Sequence, residues 1–241
     1  MKFIFLFDVD GTLTSPRKRM DVDFELFFEK WIENHTTYLV TGSDYEKTKE
    51  QVSINILNKC DGVFCCMGNH FIKKDTTIYL NNFDLPLKAE HFLKNCLNES
   101  KYPVEDRGDL HLEYRTGMVN FSVVGRNITA EQREKYYKWD CIHQERKNIV
   151  NKFNEIFNEY NIEANIGGQI SIDIQKIGLD KSQVLNYIDK NNKETVFFGD
   201  KCNPREIDFP IYNECNIKYA VSNWKECFNI LKSNYTINYG K

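Results

Sequence analysis

The sequence predicts an α/β fold in which a doubly wound, mostly parallel sheet core carries an inserted α+β cap domain. A continuous apolar run, Phe3–Phe7, is typical of a strand covered on both faces. Strand-like and helix-like segments then alternate through the first 66 residues, which is the pattern of a doubly wound sheet. After that the chain changes to paired strands around turns, which indicates a separate antiparallel unit.

The core elements follow from hydrophobic periodicity and turn residues. Phe24, Phe28 and Trp31 recur at helical spacing, which predicts a helix over 23–34. The pattern of strands and helices resumes after Gly178. The further predicted core elements are a strand at 36–40, a helix at 44–55 capped near Ser43, a strand at 62–66, a helix from Lys181, a strand at 195–200, a strand near 217–221 and a closing helix.

The intervening segment has a different pattern. Two strands flank Thr116-Gly117 within 110–124, and a second hairpin at 162–174 turns at Gly167-Gly168. A helical stretch covers about 145–160, and "FIKK" with "TIYL" forms a short hairpin before the insert. We therefore place the core at 1–81 and 179–241 and the inserted cap at 82–178.

Composition excludes several classes of protein. The chain has 241 residues, a net charge of −3 and a pI near 6.0, so it carries no basic footprint for nucleic acid. No apolar run approaches the length of a membrane span. The eight cysteines form no CxxC pair and no zinc spacing, which indicates reduced thiols and a cytoplasmic protein.

Polar groups follow the predicted core strands where those strands end. Asp8 and Asp10 follow the first strand, Thr41 follows the second, and Asp200 follows the strand at 195–200. Lys181 precedes that last strand. Ligands of doubly wound sheets bind at the carboxyl ends of the strands, so we expect these groups to meet.

The chemistry of this set favours phosphoryl transfer. Asp8 and Asp200 supply the hard oxygen ligands that suit Mg²⁺. Lys181 and the Thr41 hydroxyl would hold the remaining phosphate oxygens. A carboxylate nucleophile, a metal, a cation and a hydroxyl together predict a phosphoryl-transfer site.

The ordered motifs resemble the haloacid dehalogenase superfamily, and more narrowly the eukaryotic-type phosphomannomutases. The resemblance covers nearly the whole chain, through "FDVDGTLT", "GSDY", "RTGMVNFSVVGRNITAEQRE", "GGQISIDI" and "FFGDKCNPREIDFPIY". It implies a haloacid dehalogenase-like core with a substrate-binding cap. It also implies interconversion of mannose 6-phosphate and mannose 1-phosphate, Mg²⁺, a hexose 1,6-bisphosphate activator, hexose phosphates as ligands and a homodimer joined through the cap.

The resemblance also assigns roles to residues. It implies that Asp8 is the nucleophile, that Asp10 is the general acid/base and that Lys181 steadies the phosphoaspartate. The implied metal ligands are Asp8, the backbone carbonyl of Asp10, Asp200 and the nearby Asp208. The implied substrate-binding residues are Arg17, Arg115, Asn120, Arg126, Arg133, Ser171 and Asp173.

Strand alternation in the cap agrees with that assignment. In 118–123, Val119, Phe121 and Val123 share one face, and Asn120 lies on the other. In 169–174 three isoleucines oppose Gln169, Ser171 and Asp173 in the same way. Each strand thus has an apolar face and a polar face. An arginine guanidinium can bind a phosphate through two parallel hydrogen bonds, which a lysine cannot do.

Three segments depart from the family pattern and keep other functions open. Thr41-Gly42-Ser43 is closer to the superfamily's phosphatases, Pro204–Asp208 lacks the family's glycines, and Cys66-Met67-Gly68 replaces Glu-Asn-Gly. One alternative is therefore a Mg²⁺-dependent sugar-phosphate phosphatase, which would release phosphate without a bisphosphate. The other is a non-catalytic sugar-phosphate-binding scaffold, which would form no phosphoaspartate.

Overall fold

The computed structural model describes residues 2–204 and 206–235. The described residues up to Leu80, together with those from Leu179 onward, form one unit, called here the core unit. Asn81–Gly178 form a second unit, called here the inserted unit. None of the helices in the described residues is long and apolar enough to cross a membrane.

The core unit contains a seven-stranded sheet in the order β11-β10-β1-β2-β3-β4-β5. The strands from β11 to β3 pair in parallel, whereas β4 pairs antiparallel with β3 and β5. The predicted mostly parallel α/β fold is therefore confirmed. The strands of this sheet are β1 (Phe3–Phe7), β2 (Thr36–Val40), β3 (Gly62–Cys65), β4 (His70–Lys73), β5 (Thr76–Leu80), β10 (Glu194–Gly199) and β11 (Ile217–Ala220).

The apolar run that opens the chain fills both faces of this sheet. Phe5 and Phe7 pack in a cluster with Phe24 and Phe28 of a helix, whereas Ile4 and Leu6 belong to a cluster on the opposite face. All four β1 side chains are essentially buried. Each large apolar side chain stabilises the fold by roughly 1.5–3 kcal/mol when fully buried, so β1 is a principal source of core stability.

Helices cover both faces, and two of the predicted helices are wrong in detail. The helix predicted over 44–55 is two helices, because Val52 and Ser53 are extended and break it. The predicted helix from Lys181 is a short 3-10 helix, Lys181–Asn186, in which Gln183, Val184 and Leu185 are buried in succession. One face of an α-helix cannot bury three consecutive residues. The core helices are α1 (Val22–Ile32), α2 (Tyr45–Gln51), α3 (Ile54–Lys59), α7 (Phe209–Glu214) and α8 (Trp224–Asn234).

The inserted unit contains a four-stranded antiparallel sheet in the order β6-β7-β9-β8. Its apolar face packs with residues of three helices in one cluster that includes Leu93, Tyr136 and Phe153. Only the third of these helices was located from sequence, although the capping box at Thr129 and Gln132 marks the start of the second. The elements are α4 (Leu87–Glu99), β6 (Leu112–Arg115), β7 (Met118–Phe121), α5 (Ala130–His143), α6 (Glu145–Phe157), β8 (Ile162–Ile166) and β9 (Ile172–Lys176).

Candidate active site

Three acidic residues meet at the carboxyl edge of the core sheet. Asp8 follows β1, and Asp200 follows β10, the parallel neighbour of β1. Carboxylate oxygens of Asp8, Asp200 and Asp208 all lie within 4.8 Å of one another. The Asp8 backbone N–H donates to Phe198 O at 2.9 Å, which ties the first acid to the neighbouring strand.

Lys181 is buried among these acids. Its Nζ lies 2.5 Å from Asp8 Oδ1 and 2.6 Å from Asp208 Oδ1, and its side chain is only 1% exposed. Burial lowers the pKa of Lys181, but the charges of Asp208 and Asp8 outweigh this and leave the pKa above its usual range. Lys181 is therefore a positively charged ammonium group held between two carboxylates.

The carboxylates are costly to keep ionised together. Burial, together with the charges of Asp208 and Asp200, raises the pKa of Asp8 to about 7 against the opposing effect of Lys181. Burial also raises the pKa of Asp200. Lys181 neutralises only part of this negative charge, so the set is suited to a further cation with a preference for oxygen ligands.

Gly11 permits the close approach of Asp200 to the first loop. Its φ is +104°, a conformation that favours glycine, and a Cβ at this position would overlap the Asp200 carboxylate. The glycine of "FDVDGTLT" thus makes room for a second acid next to Asp8.

The Asp10 carboxylate accepts hydrogen bonds from residues outside the Lys181 group. Its Oδ1 accepts hydrogen bonds from the Arg17 backbone N–H at 2.6 Å and from Gln51 Nε2 at 3.0 Å. Gln51 is buried and also donates to Thr14 Oγ1 at 3.1 Å. The structure therefore holds one oxygen of Asp10 through two donors, while the Arg17 side chain is exposed.

Thr41 completes the edge of the sheet. Its hydroxyl oxygen accepts a hydrogen bond from Ser43 N at 3.1 Å, and its side chain is buried. Asp208 is fully buried, and its second carboxylate oxygen accepts from the Lys201 backbone N–H at 3.1 Å. Arg205, within the Pro204–Asp208 loop, lies outside the described residues.

The polar face of the inserted sheet carries a row of directly opposed residues. Glu113 of β6 faces Asn120 of β7, Asn120 faces Asp173 of β9, and Asp173 faces Asn165 of β8. Asn120 Nδ2 donates to Asp173 Oδ1 at 2.5 Å. Strand register alone therefore brings two predicted substrate-binding residues, Asn120 and Asp173, into contact.

Two predicted arginines join this row. Arg115 Nη2 lies 2.5 Å and Arg126 Nε 3.2 Å from the same Glu113 oxygen. Arg126 Nη1 also donates to Asn120 Oδ1 at 3.2 Å. We call Arg115, Arg126, Glu113, Asn120 and Asp173 the arginine cluster.

The charges in this cluster shift one another's pKa values. Burial lowers the pKa of Arg126, and the positive charges of Arg115 and Arg133 lower it further. Burial raises the pKa of Asp173 above its usual range despite the Asn120 hydrogen bond and both cluster arginines. Arg133 is thus an electrostatic neighbour of the cluster.

Ser171 lies in a loop that a buried ion pair holds in place. Arg146 Nε donates to Asp140 Oδ2 at 2.8 Å, and both side chains are less than a tenth exposed. Arg146 Nη1 donates to the carbonyl oxygens of Gly167, Gly168 and Ser171 at 3.0, 2.9 and 3.3 Å. One guanidinium group therefore fixes the backbone of the β8–β9 loop.

A family model described as eukaryotic phosphomannomutase matches residues 24–237 of this chain. The chain belongs to the eukaryotic phosphomannomutase family.

Curated relatives support the same assignment over most of their length. The chain is 35% identical to a phosphomannomutase of Glycine max, over 98% of this chain and 97% of the relative. It is 36% identical to a phosphomannomutase of Dendrobium officinale, over 87% and 84% of the two chains.

Solved structures support the fold. The N-terminally truncated IMP-nucleotidase of Plasmodium falciparum is similar with a TM-score of 0.60 and 18% identity, over 98% of this chain and 70% of that one. At this identity the likeness bears on the fold alone, and it agrees with a haloacid dehalogenase-like core.

For this member of the phosphomannomutase family, strand-end reasoning located Asp8, Lys181 and Asp200, and the family resemblance added Asp208. The structure brings these four residues together. It missed Gln51, Glu113 and Arg146. Glu113 had a readable signal, since it lies two residues from Arg115 on one strand and so shares its face. Gln51 and Arg146 lie on helices and gave no comparable signal.

Proposed function

We propose that this chain interconverts mannose 6-phosphate and mannose 1-phosphate through a phosphoaspartate at Asp8. The observation that carries the proposal is the contact of Lys181 with both Asp8 and Asp208 at the carboxyl edge of the sheet, in a chain of the phosphomannomutase family. A carboxylate beside a fixed ammonium group suits attack on a phosphoryl group, because the ammonium stabilises negative charge on the phosphoryl oxygens.

Mg²⁺ fits the donor set of the core unit. Asp8 and Asp200 would hold it through carboxylate oxygens, together with the backbone carbonyl of Asp10, and Asp208 lies close by. Both Asp208 oxygens already accept hydrogen bonds, one from Lys181 and one from Lys201, which favours an orienting role for this residue. When bound, Mg²⁺ would neutralise charge on the transferred phosphoryl group.

The first half-reaction transfers a phosphoryl group from hexose 1,6-bisphosphate, the activator, to Asp8. An oxygen–phosphorus bond forms at the Asp8 carboxylate while the bond from phosphorus to the sugar oxygen breaks. Asp10 donates a proton to that leaving oxygen. The half-reaction leaves phosphoaspartate, a hexose monophosphate and an ionised Asp10.

The second half-reaction returns the phosphoryl group to the other hydroxyl of a monophosphate. Asp10 takes the proton of that hydroxyl as its oxygen attacks phosphorus, and the bond to Asp8 breaks. Lys181 and the Thr41 hydroxyl stabilise the phosphoryl oxygens throughout. Arg17 N–H and Gln51 donate hydrogen bonds to one oxygen of Asp10, so the other oxygen is the one that carries the proton.

We assign hexose-phosphate binding to the inserted unit, through Arg115, Asn120, Arg126, Arg133, Ser171 and Asp173, and to Arg17 of the core unit. Guanidinium groups bind the phosphate that is not being transferred, and the acids and amides bind sugar hydroxyls. Since contacts with phosphate dominate recognition of the substrate, the site should also bind glucose phosphates.

A sugar-phosphate phosphatase is the second candidate. Thr41-Gly42-Ser43 and the altered Pro204–Asp208 segment favour it, because both depart from the mutase pattern at the edge of the site. In that case water would attack the phosphoaspartate. A non-catalytic scaffold is less favoured, since it has no need for a buried lysine between two acids.

A coupled assay of mannose 1-phosphate with and without glucose 1,6-bisphosphate tests the proposal. A mutase should form mannose 6-phosphate faster with the bisphosphate and release little inorganic phosphate. Phosphate release at the same rate without bisphosphate would assign the chain as a phosphatase. No phosphoaspartate under any condition would favour the scaffold.

We further propose a cytoplasmic homodimer joined through the inserted unit. The family resemblance motivates the dimer, and the set of reduced cysteines motivates the compartment. Light scattering at micromolar concentration should give twice the chain mass of 28.5 kDa. A monomeric mass would rule the dimer out.

A further inference from the structure

A single carboxylate bridges two arginines in the inserted unit. Glu113 Oε2 lies 2.5 Å from Arg115 Nη2 and 3.2 Å from Arg126 Nε. The side chains are 33%, 37% and 25% exposed in the order Glu113, Arg115, Arg126, so solvent reaches all three. A carboxylate oxygen that accepts a hydrogen bond from one guanidinium group and forms an ion pair with a second is chemically similar to a phosphate oxygen in an arginine site.

The backbone fixes where this carboxylate lies. Glu113 is on β6 and faces Asn120 on β7, which in turn faces Asp173 on β9. Arg126 is also held by Asn120 Oδ1, so its guanidinium has two partners in the row. Glu113 therefore belongs to the sheet surface that presents the arginines, and ligand binding cannot carry it far away.

The charge balance of the cluster depends on Glu113. With both acids ionised, Glu113 and Asp173 offset two of the three positive charges carried by Arg115, Arg126 and their electrostatic neighbour Arg133. Removal of the Glu113 charge alone would double the net positive charge from one to two. A phosphate dianion would then meet a stronger field and would not compete with a resident carboxylate.

We propose that Glu113 is an internal counter-anion that pairs with Arg115 and Arg126 when no phosphate is bound and weakens their binding of phosphate. The proposal rests on the assignment of the arginine cluster to hexose-phosphate binding. In a mutase cycle the bisphosphate intermediate must dissociate from the arginines and rebind with its two phosphate groups exchanged. Because Glu113 can re-form its ion pairs with Arg115 and Arg126 as phosphate leaves, phosphate dissociates faster than it would from two arginines without a counter-anion.

The counter-anion role and a purely orienting role of Glu113 predict opposite changes in phosphate affinity when Glu113 is replaced. If Glu113 only orients the arginines, its loss should weaken phosphate binding. If it competes with phosphate, its loss should tighten binding. An exposed ion pair contributes up to about 1 kcal/mol, so we expect the Glu113→Gln variant to bind roughly three- to fivefold more tightly.

Binding is measured by calorimetry with mannose 6-phosphate as the probe, in an Asp8→Asn background that cannot form a phosphoenzyme. Glu163→Gln is the matched control, because it removes the same charge from β8 at the opposite edge of the sheet. Glu113→Gln should lower Kd, and Glu163→Gln should leave it unchanged. If Glu113→Gln fails to fold, Glu113→Ser removes the charge and keeps a hydroxyl for the arginines.

Turnover is then measured with Asp8 intact. In Glu113→Gln both KM and kcat should fall, because product and intermediate leave more slowly. An unchanged or higher Kd overturns the counter-anion role, and so does a lower Kd without any fall in kcat.

The assignment of the cluster is checked separately. If Arg115→Met and Arg126→Met bind mannose 6-phosphate as tightly as their parent, the cluster is not the phosphate site and the Glu113 role fails with it. Mutase turnover that persists in those variants would still leave the chemistry at Asp8 standing.

Discussion

Gln51 is 41 residues from Asp10 in sequence, yet its side-chain Nε2 lies 3.0 Å from Asp10 Oδ1. The same carboxylate oxygen accepts the Arg17 backbone N–H at 2.6 Å. Gln51 is the last residue of α2, so this helix helps to orient the proposed acid/base. The contact separates the two acids of "FDVDGTLT", since Asp8 faces Lys181 and Asp10 faces Gln51.

Gln51→Leu should lower kcat about ten- to a hundredfold with little change in KM. The variant keeps the volume of the side chain but removes a donor, so the Asp10 carboxylate can leave its productive orientation. Steady-state kinetics with mannose 1-phosphate check this, and circular dichroism confirms folding. A folded variant with the kcat of the parent would show that Arg17 N–H alone is sufficient.

Substitution of Asp8 and substitution of Asp10 should block different steps of the reaction. Asp8→Asn should form no phosphoenzyme, because the amide is not a nucleophile. Asp10→Asn should still bind sugar phosphate, with turnover lowered about 10²-fold or more. Acid-quench trapping with labelled hexose bisphosphate and peptide mapping give the readout. Label on a residue other than Asp8 would overturn the assignment, as would near-normal turnover of Asp10→Asn.

Removal of Mg²⁺ should abolish turnover. Asp8, Asp200 and Asp208 lie too close together to remain ionised beside a phosphate without a cation. Activity is measured in excess chelator and again after Mg²⁺ is restored. Asp200→Asn should raise the Mg²⁺ concentration needed for half-maximal rate. Full activity in chelator would contradict the metal assignment.

Arg146→Met should destabilise the inserted unit by about 3–5 kcal/mol, because it leaves Asp140 as a buried charge without its partner. The double variant Arg146→Met with Asp140→Leu should recover part of that loss. Urea unfolding measures both. Equal stability of the single and double variants would show that the hydrogen bonds to the loop carbonyls matter more than the ion pair.

His35 gives a prediction of pH dependence. Its ring stacks on Trp31 at a centroid distance of 3.8 Å, and burial lowers its pKa below the usual value of 6.5. As pH falls through 6.5 the unfolded chain gains a proton that the folded chain does not, so the free energy of unfolding falls. His35→Phe keeps a ring without that proton. Denaturant curves at pH 7.5 and 5.5 should therefore differ less for the variant, and parallel behaviour would contradict the shift.

The sequence was sufficient for the residues that follow strands. Asp8, Thr41 and Asp200 could be located because parallel strands end at one edge of a sheet. The contacts of Gln51 with Asp10 and of Arg146 with the loop at Gly167 depend on where a helix packs. Local periodicity does not determine this packing. Glu113 could have been found, because the two-residue turn at Thr116-Gly117 pairs it with Asn120. The pairing of Asn120 with Asp173 joins β7 to β9, which no short turn connects, so the sequence does not fix it.

Helix boundaries were less predictable for a related reason. Val52 and Ser53 favour an extended backbone only slightly, yet the break between α2 and α3 is complete. The 3-10 helix at Lys181–Asn186 forms where Lys181 must reach two acids and Gln183 donates to Met67 O at 2.8 Å. Tertiary contacts of this kind override local propensity.

The order of strands in the core sheet has a consequence for synthesis on the ribosome. β1 lies between β2, which follows it closely, and β10, which is made only after the whole inserted unit. The inserted unit is contiguous, Asn81–Gly178, so its strands emerge from the ribosome and can begin to pair before β10 emerges. During that interval one edge of β1 lacks its partner strand, so the nascent chain is open to pairing with other extended chains until Glu194–Gly199 emerges.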